Sequence, residues 1–302
     1  MASPLSQPVK IACIQLLSGA DKAANLARAR TKVLEAARLG ANIVVLPECF
    51  NSPYGTSFFP TYAEEVPALG TPATSVDDAA MPSFAALRDA ARDAGVYLVG
   101  GSIPERDARS GQLFNTSLVF SPAGALIGMH RKVHLFDISI PGKITFRESD
   151  VLAGGSHATV VAMPPYGRVG VAICYDIRFP ALAAVAARNG CFAYVVPGAF
   201  NMTTGPLHWR LLAQARAVDN QMYTVLCSPA RDMTAGYHAW GHSLVVDPMA
   251  GVVQEADEQE TIVVAELRPE EIENARKGIP VGEQKRWDVY PDVSVGAKVV
   301  IS

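Results

Sequence analysis

Residues 9–48 read VKIACIQLLSGADKAANLARARTKVLEAARLGANIVVLPE, and this stretch decides the fold class. VKIACIQL has β-branched content and period-two alternation, so it predicts a strand over 9–16. Residues 21–39 place Leu26, Val33, Leu34 and Ala37 on one face of an amphipathic helix, which Gly40 stops. ANIVVLPE (41–48) is short and almost wholly apolar, the pattern of a strand buried on both faces. A strand, a helix and a second buried strand in succession predict an α/β protein with its helices outside the sheet.

Further along, a loop rich in Pro, Gly, Ser and Thr (51–82) leads to a helix near 82–94. VYLVGGSI (96–103), QLFNTSLVF (112–120) and ALIGMHR (125–131) read as strands, the last two joined by the turn Ser121-Pro122-Ala123-Gly124. A long connection, 132–157, has the length that marks functional loops. ATVVAM and RVGVAIC read as strands around the Pro164-Pro165-Tyr166-Gly167 turn. Helix 181–189 follows, with Pro180 at its start and Gly190 past its end. FAYVVPGAF is a buried strand, followed by a helix at about 206–220 and the strand MYTVLCS. GHSLVVDPMAGVVQEA is a hairpin, TIVVAEL a last strand, and a short helix opens at Pro269. Hairpins mixed with βα alternation imply mixed sheets. No repeat or linker divides the chain, so 1–302 reads as one domain with an extended tail, 279–302, that lies across a partner.

Composition narrows the function. The chain has 302 residues, 49% hydrophobic and 18% charged, which excludes an intrinsically disordered protein. Lys plus Arg is 26 and Asp plus Glu is 29, a formal net charge of −3. Nothing in that balance attracts nucleic acid. No run of about 18 apolar residues spans a membrane, and MASPLSQPVK lacks the pattern of a secretory signal. The expectation is a soluble, cytoplasmic protein, with the mitochondrion as the alternative. Five cysteines spread without a C-x-x-C pair argue against disulfides or zinc.

Cys174 ends the apolar strand VGVAIC and precedes YDIRFP and a helix. A nucleophile on such a turn is exposed, with backbone N–H groups available to an oxyanion. Its thiol needs a base or a nearby cation. Glu48 ends IVVLPE, where a carboxylate lies at a cleft or in an ion pair. Lys132, in HRKVHLFD, opens the long connection, and Glu148 lies within it. Taken singly, each has a plain alternative: a structural thiol, a salt-bridged strand end, a solvated lysine and a surface acid. His130/His134 and His238/His242 have H-x3-H spacing, but at strand ends, where i and i+4 share no face, so no metal site is expected. Cys49, beside Glu48, reads as inert packing.

Taken together, LPECF around Glu48, HRKVHLF around Lys132 and VAICYDIRFP around Cys174 resemble the nitrilase-type carbon–nitrogen hydrolases, in that family's order. HLFDISIPGKITFRES, GAFNMTTGPLHW, ARAVDNQMY, SPARD and WGHS resemble its omega-amidase branch. The likeness runs from about residue 9 to residue 290. The resemblance implies a four-layer α-β-β-α sandwich with mixed sheets that pairs with a second subunit as a homodimer. It implies Glu48, Lys132 and Cys174 as catalytic triad, with Glu148 as a supporting glutamate and no metal or organic cofactor. It further implies hydrolysis of a small omega-amide, 2-oxoglutaramate or 2-oxosuccinamate, through a cysteine thioester. Tyr175 offers its N–H to the oxyanion. Arg178, Tyr54, Phe200 and Thr204 are the candidates for substrate binding, Arg178 for the free carboxylate unless Asp176 pairs with it. Open alternatives are another amidase of the family (one acting on deaminated glutathione), a nitrile hydrolase, a carbamoylase, or a catalytically silent binding protein on this scaffold.

Overall fold

β1 (Val9–Gln15) lies one strand in from the edge of the first sheet, hydrogen-bonded to the edge strand β15 (Thr261–Leu267) antiparallel and to β2 (Ile43–Val45) parallel. The computed structural model describes residues 3–71, 76–142 and 144–302. Residues 72–75 of the expected 51–82 loop, and Lys143 of the 132–157 connection, lie outside the described residues. Beyond β2 the sheet continues through β3 (Tyr97–Val99), β4 (Ile103–Arg106), β5 (Leu113–Phe120) and β6 (Leu126–Arg131). A second sheet contains β9 (Ala158–Met163), β10 (Gly167–Val171), β11 (Cys191–Pro197), β12 (Tyr223–Cys227), β13 (Leu244–Val246), β14 (Val252–Glu255) and β16 (Val299–Ile301). Its order is β14-β13-β12-β11-β10-β9-β16. Both sheets mix parallel and antiparallel pairs.

Strand periodicity sets the layers. Ile11, Cys13, Ile43 and Val45 of the first sheet pack against Val169, Val171, Val195 and Val225 of the second, forming one core between the sheets. Their neighbours Ala12, Ile14, Val44 and Leu98 point the other way, onto α1 (Lys22–Arg38) and α3 (Pro82–Ala94), between which α2 (Phe59–Tyr62) is a single turn. On the second sheet, Ala172, Val196 and Leu226 meet α4 (Pro180–Arg188) and α5 (Gly205–Asn220). Each fully buried Val or Ile side chain stabilises the fold by roughly 1.5–3 kcal/mol. The layers run α-β-β-α, as the resemblance implies.

Three local expectations change. α1 buries Asn25, Ala29, Val33 and Ala36, so its stripe is centred on small residues beside Leu26 and Ala37, and Leu34 lies off it. VYLVGGSI forms two strands, β3 and β4, both on one edge of β5. The break falls at Gly100-Gly101: Gly101 has φ of 59°, and a Cβ there would stand 2.1 Å from the Pro47 carbonyl oxygen. The 132–157 connection contains a hairpin, β7 (Asp137–Ile140) and β8 (Ile144–Arg147), followed by a 3-10 turn at Glu148–Asp150. After α6 (Pro269–Gly278), the tail touches α4 through an Arg188–Asp292 ion pair and returns as β16 onto β9 of its own chain.

Candidate active site

Three chain segments meet where β2, β6 and β10 end. Glu48 lies just past β2, Lys132 directly follows β6, and Cys174 opens a 3-10 turn (Cys174–Arg178) beyond β10. All three side chains are buried, as is Glu148. The Lys132 Nζ donates to Glu48 Oε1 at 3.0 Å and to Glu148 Oε1 at 3.0 Å. Glu48 Oε1 also accepts Asn115 Nδ2 at 2.9 Å, and Oε2 accepts the Ala199 N–H at 2.9 Å. The Cys174 thiol lies close enough to the Glu48 carboxylate to sense its charge. Glu148 is no surface acid: Oε1 accepts the Tyr54 hydroxyl at 2.7 Å and Oε2 the Phe136 N–H at 2.7 Å.

Electrostatics follow from this packing. Burial pushes the Glu48 carboxyl above its ordinary pKa; Lys132 opposes the rise and Glu148 adds to it. For Lys132, burial pulls the pKa down, but Glu148 and Glu48 outweigh it and hold the ammonium charged. Burial, then the Glu48 charge, push the Cys174 thiol well above its ordinary value. The raised value favours the neutral thiol over the thiolate at Cys174. Cys49 is also buried, and burial and Glu48 raise its thiol in the same way.

The turn that carries Cys174 is held at both ends. Cys174 has φ of 47°, a left-handed conformation that costs a non-glycine residue about 1–3 kcal/mol and persists only when its surroundings enforce it. Asp176 supplies part of that restraint. Its Oδ2 accepts the Ile173 N–H at 3.0 Å and faces His130 Nε2 at 3.1 Å; its Oδ1 accepts the His134 N–H at 2.9 Å and faces His134 Nδ1 at 2.8 Å. Burial pushes the Asp176 carboxyl up, but the bonds from His130 and His134 prevail and hold it below its ordinary range. The His130/His134 spacing thus serves a carboxylate clamp that ties the Cys174 turn to the segment after Lys132. At the other end, Arg216 of α5 donates through Nε to the Ile177 carbonyl at 2.8 Å and through Nη2 to the Arg178 carbonyl at 3.2 Å. Gly198 lets the chain after β11 pass behind this turn, since a Cβ there would stand 3.1 Å from the Cys174 Cα.

A cleft of about 740 Å3 opens onto Glu48, walled by Tyr54, Phe58, Ile144, Phe146 and Tyr237. Among its described lining residues the charges are Glu48 and Asp232, both acidic. The proposed binding residues separate around it. Tyr54 lines the cleft, and its ring packs on Tyr237 with centroids 4.5 Å apart. The Tyr175 N–H, early in the 3-10 turn, has no intrahelical partner. Arg178 is not paired with Asp176. Its Nη1 meets His208 Nδ1 at 3.2 Å, its guanidinium lies over the Tyr175 and Phe200 rings, and its buried Nε has no partner among the described residues. Phe200 packs on Trp209. Thr204 is buried away from the cleft walls, its hydroxyl turned to Asn201 Oδ1 at 3.2 Å.

Asn115, Asp176 as a clamp, Ala199, Arg216 and Tyr237, whose hydroxyl donates to the Ala199 carbonyl, are site residues that motif reading passes over. The signal available was polarity out of place: Asn115 interrupts the apolar run of β5, and Arg216 falls on a buried helix face.

Comparison with known proteins agrees with this geometry. Residues 10–277 match the family model described as carbon–nitrogen hydrolase. The omega-amidase NIT3 of Saccharomyces cerevisiae is 50% identical over 293 residues, covering 96% of this chain and 97% of that protein. The omega-amidase NIT2 of Mus musculus is 50% identical over 281 residues, covering 93% and 96%. The crystal structure of Saccharomyces cerevisiae Nit3, a member of branch 10 of the nitrilase superfamily, is similar with a TM-score of 0.84 at 47% identity, covering 95% of this chain and all of that one.

Proposed function

The chain belongs to the carbon–nitrogen hydrolase family, and on that premise we propose that it is an omega-amidase, releasing ammonia from the terminal amide of 2-oxoglutaramate and 2-oxosuccinamate. The observation that carries the reading is the buried Glu48–Lys132–Glu148 array set against the Cys174 thiol. Relatives named omega-amidase over nearly the whole chain support the substrate class.

In this reading Cys174 Sγ attacks the amide carbon while Glu48 takes the thiol proton. The raised thiol pKa favours transfer during attack over a standing thiolate. The carbonyl oxygen becomes an oxyanion, stabilised by the Lys132 ammonium and the Tyr175 N–H, each donor typically contributing about 3 kcal/mol. Glu48 returns the proton to nitrogen, the C–N bond breaks, ammonia leaves and a thioester remains. Glu48 then removes a proton from water as its oxygen attacks the thioester. Collapse releases the carboxylic acid, and the sulfur regains its proton. Glu148 acts by holding Lys132 in place. The chemistry draws on these side chains and water, without metal or organic cofactor.

A substrate carboxylate needs a cation that the cleft walls do not offer, and Arg178, without an acidic partner among the described residues, fits that task. We assign the whole chain to one catalytic domain, because both sheets share one core. A homodimer fits the apolar Leu207, Leu211 and Val218 that α5 exposes. Five unpaired thiols suit a reducing compartment such as the cytoplasm.

The test is ammonia release from 2-oxosuccinamate, compared with simple nitriles and N-carbamoyl amino acids. The omega-amide should be turned over fastest. Arg178→Lys should then raise KM for 2-oxosuccinamate but not for a neutral amide of similar length. Faster turnover of a nitrile or a carbamoyl compound would contradict the assignment. Equal losses on both amides would place the anion site elsewhere.

A further inference from the structure

β5 is apolar at Leu113, Phe114, Leu118, Val119 and Phe120, yet it buries the carboxamide of Asn115 almost completely. A buried amide is costly unless it is hydrogen-bonded. Asn115 Nδ2 donates to Glu48 Oε1 at 2.9 Å, and its main-chain carbonyl accepts the Lys132 N–H at 2.8 Å. The Lys132 Nζ closes the ring by donating to the same Oε1 at 3.0 Å. Oε1 therefore carries two donors, one of them charged. Oε2 accepts a single donor, the Ala199 N–H, so it is the Glu48 oxygen with more room to take a further proton.

We propose that Asn115 is a positioning residue for the general base: by occupying Oε1 of Glu48 it keeps that oxygen unprotonated and directs the Cys174 proton to Oε2. The inference rests on the reading of Glu48 as the base. Turning the carboxamide over would set Oδ1 against Oε1, two acceptors in contact, so an ionised Glu48 selects the orientation observed. Asn115 Oδ1 is buried without a partner among the described residues, a cost of about 1–3 kcal/mol that an apolar side chain would avoid. A residue kept purely for packing would not carry that cost. The donor also favours the ionised carboxylate against burial and the Glu148 charge. The other groups facing Glu48 are Lys132 and Cys174, with Cys49, Tyr54 and Tyr237 also close enough to sense its charge.

The sign of the effect follows. Turnover needs the Glu48 carboxylate, so activity rises with pH through its pKa. Loss of a donor destabilises the carboxylate, raises that pKa and moves the acid limb to higher pH. In Asn115→Ala the acid limb of kcat/KM for 2-oxosuccinamate should move up by about one to two pH units. Its kcat should fall by about tenfold to a hundredfold, with KM little changed, because Asn115 is not among the described residues that line the cleft. Asn115→Asp keeps the shape but replaces the donor with a negative charge, and should move the limb further. The pH dependence of Cys174 alkylation by iodoacetamide, located by peptide mass, reads the same shift without turnover and remains measurable in a slow variant. Two displaced limbs in the order Asp, then Ala, then wild type support the inference. Unmoved limbs in both variants, with activity reduced alongside melting temperature, would make Asn115 structural and overturn it. The underlying reading fails separately: a Glu48→Gln enzyme that retains turnover would remove Glu48 as the base whatever Asn115 does.

Discussion

Lys132 is an ammonium withdrawn from solvent and compensated by two carboxylates, an arrangement that makes each partner count. Read in the sequence, Glu148 is a loop acid whose loss should leave stability almost unchanged. Its complete burial, with bonds to Lys132, Tyr54 and the Phe136 N–H, changes that expectation. Glu148→Gln keeps the shape and removes the charge. Turnover should fall by about a hundredfold, and stability by about 3 kcal/mol, the scale for breaking a buried pair. Steady-state kinetics with thermal melting checks both, and turnover close to wild type would reduce Glu148 to a structural acid. At this scale Glu48, Lys132 and Cys174 are legible because each follows an apolar strand and sits in a distinctive motif. Asn115, Asp176 and Arg216 are not, because their meaning depends on where a side chain points across elements far apart in the chain.

The elements show the same division. β1, α1, α3, β5, β6, α5 and β15 follow from period and stop signals, with boundaries close to those observed. β7 and β8 do alternate, Ile138, Ile140, Ile144 and Phe146 being half-buried between exposed Asp137, Ser139, Thr145 and Arg147, but each strand is only four residues long, so the signal is easily taken for part of a loop. The split of β3 from β4 depends on the close approach of Gly101 to Pro47, a tertiary fact. α5 raises a different question, since its inner face packs Trp209, Ala213 and Ala217 while Leu207 and Leu211 are more than half exposed on the outside. If that outer face joins two copies, Leu211→Glu places a charge in an apolar contact. Sedimentation should then show the dimer shifting to monomer while circular dichroism stays unchanged. An unaltered sedimentation coefficient would rule this face out as a contact between copies.

Across the whole molecule, the site is assembled from both sheets. Glu48 and Lys132 come from the ends of strands in the first sheet, and Cys174 and Ala199 from the second. The hydrogen bond from the Ala199 N–H to Glu48 joins the two halves, so the proposed base meets the proposed nucleophile where the two sheets pack together. Composition and periodicity lead to an α/β protein with mixed sheets. Face-to-face packing of the two sheets came from family resemblance, because strand pairing between distant segments leaves little local trace. On the proposed mechanism this convergence makes Cys174 the nucleophile of an amide hydrolase. The most direct measurement is peptide mass mapping of enzyme quenched during turnover of 2-oxosuccinamate, set beside ammonia release by Cys174→Ala. The expected result is an acyl adduct on Cys174 and a variant that folds normally yet releases no ammonia. An adduct on Cys49 or Cys227, or ammonia release that survives the substitution, would contradict it.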